Sequence, residues 1–219
     1  MTRRWETAVV VVALLLVGLV GLALIFAQSV FYEGIARDFA PVVWHSPLDG
    51  SVSGRGSLSD LVGLHRTWLG YVTGFGNEPG VLLFTVDESQ HMADVRRVFI
   101  GAEVAAVCGL AALVAIVAVV ARRGSRAVAA LARDASLIAA AAVATLGIAA
   151  AFAFDSLFLA FHELFFPQGN FLFPPGSNLI AMYPDQYWYQ TTIRIGLTFV
   201  MAMVVIASAS AATLRRSRR

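Results

Sequence analysis

Residues 104–121 read VAAVCGLAALVAIVAVVA, eighteen positions without a charge, and they decide the fold class. A hydrocarbon core about 30 Å thick is crossed by a helix of about 20 apolar residues. A helix packed on a soluble core would carry a polar stripe, and this run has none. Extended outward by Val98–Ala102, it defines a span at 98–121. Three further runs of the same kind stand at 8–27, 135–154 and 195–214. With 219 residues, 58% hydrophobic content and a mean hydropathy of +0.75, a soluble domain is excluded. The expectation is an all-α membrane protein of four transmembrane helices, a single membrane domain over 1–219. Arg3 and Arg4 give the first run the look of a signal peptide. Its apolar stretch exceeds the usual h-region of about 7–15 residues, and Phe26-Ala27-Gln28 is a poor cleavage site, so it reads as a retained anchor.

Charge orients the spans. All 16 basic residues are arginine. Arg3 and Arg4 precede the first run, Arg122, Arg123, Arg126 and Arg133 lie in the loop 122–134, and Arg215, Arg216, Arg218 and Arg219 end the chain. By the positive-inside rule both termini and that loop are cytoplasmic. Residues 28–97 and 155–194 then form an extracellular cap. Anchoring against the anionic phospholipid bilayer accounts for the basic runs, and no nucleic-acid partner is needed. The single cysteine, Cys108, falls mid-span, has no zinc-type spacing, and reads as a small buried hydrophobe.

Within the cap, Phe31, Ile35, Phe39 and Val42 suggest a short amphipathic helix over Phe31–Trp44. Ser46–Ser59 reads as a loop, and Leu58–Val72 as a second helix. Gly74–Gly80 breaks the pattern, and Val81–Val86 is a short β-prone run. Asp87 resembles a helix N-cap with Gln90 at N3, which starts the second membrane helix near Glu88. The third span runs on without a breaker to Pro167. Eleven aromatic residues between Phe154 and Tyr189 exceed what an interfacial anchor needs, and predict an aromatic-rich cap that dips into the interface.

Two of the four histidines lie just outside spans on the cap side. His91 precedes Val98 by about 10 Å of helix, and His162 follows Phe154 by about 12 Å. Glu88 and Asp94 share a helix face with His91, where a carboxylate fixes an imidazole tautomer and raises its basicity. Taken singly, each histidine is better explained by a structural role, such as an interfacial hydrogen bond. His45 and His65 read as ordinary cap residues. Glu103, about one turn inside a span, suggests an internal ion pair with Arg194. His162-Glu163 starts like a zinc-protease motif, but Phe166 stands where the second histidine belongs, so no metal site is expected.

The stretches Glu88-x-x-His91-Met92-x-Asp94-Val95, Phe161-His162-x-Leu164-Phe165-Phe166-x-x-Gly169-Asn170-Phe171-x-Phe173 and Leu179-Ile180-x-x-Tyr183-Pro184 resemble the bacterial lipoprotein intramolecular transacylase family. The resemblance implies four transmembrane helices with an extracellular cap, in the bacterial cytoplasmic membrane. It implies acyl transfer within a diacylglyceryl lipoprotein, from the sn-2 position to the N-terminal amine. The family's two histidines match His91 and His162, with no cofactor. Asp94 and Glu88 would support His91, Asn170 would donate to the oxyanion or hold substrate, and Phe161, Phe165, Phe166, Phe171, Phe173 and Tyr183 would wall the pocket. Two features depart from the pattern: Pro174-Pro175-Gly176 where acidic character is expected, and Tyr187-Trp188-Tyr189 where phenylalanines are. The alternative is a non-catalytic module binding lipid or lipoprotein through its aromatic cap. An imidazole separation beyond about 10 Å would favour it over acid/base chemistry. A transporter using Glu103 would instead need helix breaks within the spans, and none is expected.

Overall fold

The computed structural model describes residues 2–79 and 83–216, with the backbone alone for Thr2 and Arg3. Val81 and Leu82 of the β-prone run, and Arg218 and Arg219 of the basic tail, lie outside the described residues. The helices are α1 (Thr2–Gly18), α2 (Val20–Phe26), α3 (Ser29–Ala36), α4 (Leu58–Val72), α5 (Val86–Ala121), α6 (Ser125–Phe165), α7 (Asn178–Met182) and α8 (Asp185–Arg216). Strands β1 (Val42–His45) and β2 (Val52–Gly56) pair antiparallel, Val42 opposite Gly56. Among the described residues, four stretches are long and apolar enough to cross a membrane: Arg4–Phe26, α5, α6 and α8. The chain divides into two compact units.

The first unit holds residues 1–21, 102–152 and 193–219. Its core joins Val10 and Leu14 of α1, Ile116 and Val120 of α5, Leu131, Ala135 and Ala139 of α6, and Met203 of α8. Without a hydrophobic drive between helices in lipid, close approach across small residues holds them together. A Cβ on Gly109 would stand 2.8 Å from Leu16 Cβ and 2.9 Å from the Ala13 carbonyl oxygen, and one on Gly18 2.6 Å from the Phe199 ring. Outward-facing Val104, Val107, Leu110 and Val114 are exposed, as lipid-facing residues are. Cys108 joins that exposed apolar surface, so the expectation of a buried cysteine is corrected. Arg123 donates two hydrogen bonds to the buried Glu6 carboxylate, one of them 3.2 Å long.

The second unit, residues 22–101 and 153–192, has an aromatic core around Trp68, Phe26, Tyr32, Phe84 and Tyr187. The α4 bounds coincide with the stretch read from sequence. Ser57 and Asp60 close a capping box at its start. His65, fully buried, lies flat on Tyr32 with ring centroids 4.0 Å apart. One of its nitrogens meets the Phe26 carbonyl at 3.0 Å and the other the Tyr183 hydroxyl at 3.1 Å.

Several expectations need correction. The helix over Phe31–Trp44 ends at Ala36: Pro41 cannot continue it, and β-branched Val42 and Val43 enter β1. The loop Ser46–Ser59 contains β2, joined to β1 by a turn in which Asp49 accepts from Ser51. Helix α5 starts two residues before Glu88. Its cap is Thr85, whose Oγ1 accepts from Glu88 N (3.2 Å) while Glu88 Oε2 accepts from Thr85 N (2.7 Å). That reciprocal pair displaces Asp87 and Gln90. The apolar runs also carry interruptions: Leu19 separates α1 from α2, and Ala153 leaves helical geometry inside α6 (φ −138°, ψ 39°).

Candidate active site

His91 sits in the second turn of α5, and His162 in the last turn of α6. Both precede or follow the apolar stretch of their helix, and both belong to the second unit. Their ring centroids lie 5.9 Å apart with planes 17° from parallel, inside the 10 Å limit that acid/base cooperation requires. They line one cavity of about 190 Å³. Phe161, Phe166, Phe171, Phe173 and Tyr183 line it too. Phe166 and Phe173 stand edge-on to His91 at 4.7 and 5.5 Å, and Phe158 and Phe171 pack on His162 at 4.2 and 5.0 Å. Phe165 is not part of the lining: it is exposed and lies tilted against Phe161. Leu22, Val95, Val98 and Phe99 add aliphatic and aromatic wall that sequence reasoning did not assign. Asp185 brings a carboxylate to the lining from the first turn of α8.

The carboxylates assigned to His91 are engaged elsewhere. Glu88, almost fully buried, accepts from Ser177 Oγ (2.5 Å) and Leu179 N (3.0 Å) in addition to Thr85. Ser177 is also the N-cap of α7, so one carboxylate ties the first turn of α5 to the segment that carries Phe173 and Tyr183. Asp94 accepts from Arg97, from Gln168 Nε2 (2.6 Å) and from Asn170 Nδ2 (2.8 Å). Asp94 therefore holds Asn170 in place and acts on His91 through its field. Asn178 uses its side chain as a third strand against β1, accepting from His45 N (2.9 Å) and donating to His45 O (2.8 Å). Ser177 and Asn178 were not foreseen. Their signal was the pair itself, since Ser-Asn after Pro-Pro-Gly announces a capped helix start.

Electrostatics keeps both rings neutral. Burial, and then the neighbouring His162, push His91 down to about 4 against the opposing pull of Asp94 and Asn170. Burial likewise lowers His162, opposed by its bond to the Phe158 carbonyl. That bond is 2.8 Å from Nδ1. A carbonyl can only accept, so Nδ1 carries the hydrogen and the neutral ring keeps its lone pair on Nε2. Nδ1 of His91 is buried, with no hydrogen-bond partner among the described groups. Among the described residues no cluster of three or more His, Cys, Asp or Glu could hold a metal ion.

Among curated proteins none matches this sequence. Among solved structures, the chain is similar to the membrane-integral lipoprotein intramolecular transacylase Lit from Bacillus cereus, at 17% identity and a TM-score of 0.77, covering 99% of this chain and 98% of that one. Two variants of that protein, with one histidine replaced by arginine or by alanine, match at 16% identity and a TM-score of 0.71, covering 99% of this chain. At such identities the likeness concerns the fold. The family model described as "Lipoprotein intramolecular transacylase Lit" matches residues 69–188, more than half of the chain and a range that contains both histidines. The chain belongs to the lipoprotein intramolecular transacylase Lit family.

Proposed function

We propose that this multi-pass membrane protein is an acyltransferase that moves the sn-2 acyl chain of a diacylglyceryl-cysteine lipoprotein to the N-terminal amine, on the outer face of the bacterial cytoplasmic membrane. One observation carries the reading: two imidazoles 5.9 Å apart in a single aromatic-walled cavity. The α-amino group, with an ordinary pKa of about 7.7–8.0, is mostly protonated at pH 7 and must shed a proton before it attacks. The free Nε2 lone pair makes His162 the base. Asp185, the carboxylate in the lining, attracts the ammonium form into the cavity.

The amine nitrogen bonds to the ester carbonyl carbon, and its proton passes to His162 Nε2. His91, neutral and able to donate, meets the charge that develops on the carbonyl oxygen. The carbon–oxygen bond then breaks, and the glyceryl oxygen takes a proton from the imidazolium. From the ammonium form the nitrogen loses two protons, one to solvent before attack and one that His162 passes on to the glyceryl oxygen, so no cofactor is consumed. Between nucleophile and electrophile lie Cα, Cβ, the thioether sulfur, two glyceryl carbons and the ester oxygen. A ring of that length closes slowly in water. Aromatic walls that fold the arms together recover the lost entropy, and such positioning is worth several orders of magnitude in rate.

The test is co-expression with a diacylated lipoprotein, followed by tandem mass spectrometry of its N-terminal peptide. An acyl group on the cysteine nitrogen is expected. Its absence, with the protein well expressed, overturns the proposal. His91→Ala and His162→Ala should each reduce transfer about 10²–10⁴-fold, the usual worth of a positioned acid or base.

A further inference from the structure

A second cavity, also of about 190 Å³, lies in the same unit, and Phe173 lines both. Its character is different. The histidine cavity has mainly phenylalanine, valine and leucine around the two imidazoles. The second is walled by His45 at the end of β1 and Ser46 and Asp49 of the hairpin turn on one side, and by Thr85 and the Pro174–Asn178 stretch on the other. At about 30 Å³ per water it has room for about six, and so for a short piece of chain. Its walls are tied together by hydrogen bonds. Asp49 accepts from both the backbone and the hydroxyl of Ser51, Asn178 clamps the backbone of His45, and Glu88 clamps Ser177. The His45 ring lies against Gly176, where a Cβ would come within 3.4 Å of it. His45 Nδ1 is buried and has no hydrogen-bond partner among the described groups, although a buried polar atom ordinarily has one.

The proposed substrate has three arms that meet at one cysteine. Two are hydrocarbon and one is polypeptide. The reacting atoms sit at the junction, so a cavity that takes the junction needs neighbouring space of both kinds. The apolar wall of the first cavity suits the acyl arms. The polypeptide carries an amide donor and a carbonyl acceptor at every residue and cannot be left unsatisfied in that wall. We propose that the second cavity binds the extended polypeptide directly after the lipidated cysteine, which passes beside Phe173, and that the His45 ring turns on binding to bring Nδ1, closed off in the free protein, onto that polypeptide backbone. The site thereby recognises the polypeptide arm through its backbone, with the Asp49 carboxylate at the rim favouring a basic side chain near the cysteine, while the histidine pair acts on the lipidated junction. The inference rests on the transacylase reading and adds a subsite to it.

Two substrates separate the two readings. One is a diacylglyceryl-cysteine methyl ester, which lacks the polypeptide. The other is a diacylglyceryl lipopeptide with five residues after the cysteine. His45→Ala removes the ring and leaves the backbone that Asn178 holds. Asp49→Asn keeps the acceptor for Ser51 and removes the charge at the rim. In His45→Ala the ratio of KM for the lipopeptide to KM for the methyl ester should rise about fivefold, the size of one lost hydrogen bond, with kcat for both substrates following no such split. In Asp49→Asn the same ratio should change for lipopeptides that carry lysine at the second or third residue and stay constant for uncharged ones. Equal changes in both substrates, or an unchanged ratio in both variants, overturn the subsite. Failure of the unaltered protein to transfer acyl groups in either substrate overturns the transacylase reading as well. Thermal unfolding of each variant in detergent shows that a changed ratio comes from a folded protein.

Discussion

At the scale of single residues, the histidines are ruled by burial. His91 and His162 are both held below the ordinary imidazole value, so both stay neutral further into acid. The rate of transfer should then fall tenfold per pH unit below about 7.5, where the amine alone is being protonated. An ordinary histidine base would add a second tenfold per unit below about 6.5. Here that steeper limb should come only at more acid pH. Initial rates on a fixed lipopeptide in detergent between pH 4.5 and 8 give the slope directly, and a slope approaching two just below pH 6.5 contradicts the assignment. His65 makes a separate prediction, about stability. Burial pushes it to about 4 in the folded chain, against about 6.5 when unfolded. The unfolded state therefore binds the proton first. Its contribution is fully present above about pH 6.5 and is lost as pH falls toward 4, with a limit of about 3 kcal/mol. His65→Gln can accept from Tyr183 and donate to the Phe26 carbonyl without titrating. Its unfolding temperature should change less than that of the unaltered protein between pH 7.5 and 5.

At the scale of elements, the cap of α5 shows what a sequence can and cannot tell. Thr85-x-x-Glu88 and Asp87-x-x-Gln90 are both plausible helix starts. What selects the first is Glu88's other pair of bonds, to Ser177 and Leu179, about ninety positions away. The same limit hid the hairpin. β2 reads Val-Ser-Gly-Arg-Gly, with no alternation of apolar and polar side chains, and Gly56 is there because the Trp44 indole nitrogen would lie 2.2 Å from a Cβ. By contrast α4 was legible to the residue, since its apolar spacing and its Ser57 cap are both local. The two histidine blocks were legible as a family pattern, but the true engagements of Glu88 and Asp94 were not. Glu88→Ala should destabilise the protein by about 3 kcal/mol, because it removes a cap and strands the Ser177 hydroxyl and the Leu179 amide in the interior. The check is a melting curve in detergent, and a drop comparable to that of an exposed carboxylate would refute the anchor.

At the scale of the whole molecule, the four membrane helices were legible because lipid imposes a length and an absence of charge that no distant contact alters. Arginine bias adds a direction. Green fluorescent protein fused after Arg219 should fluoresce, and alkaline phosphatase inserted between Asp49 and Gly50 should be active, because the first matures in the cytoplasm and the second only outside it. The reverse pattern would invert the topology. The cavity that holds the histidine pair has one more consequence, for inhibition. Among the described residues its lining contains no serine, threonine, cysteine or lysine. Reagents that inactivate acyltransferases by capturing a serine or threonine hydroxyl, a thiol or a lysine amine have no such group to capture there, and the Tyr183 hydroxyl is already engaged by His65, so fluorophosphonates or β-lactones should leave the transfer rate unchanged. An effective inhibitor would instead be a stable mimic of the substrate folded on itself, with the amine and ester already joined in a ring.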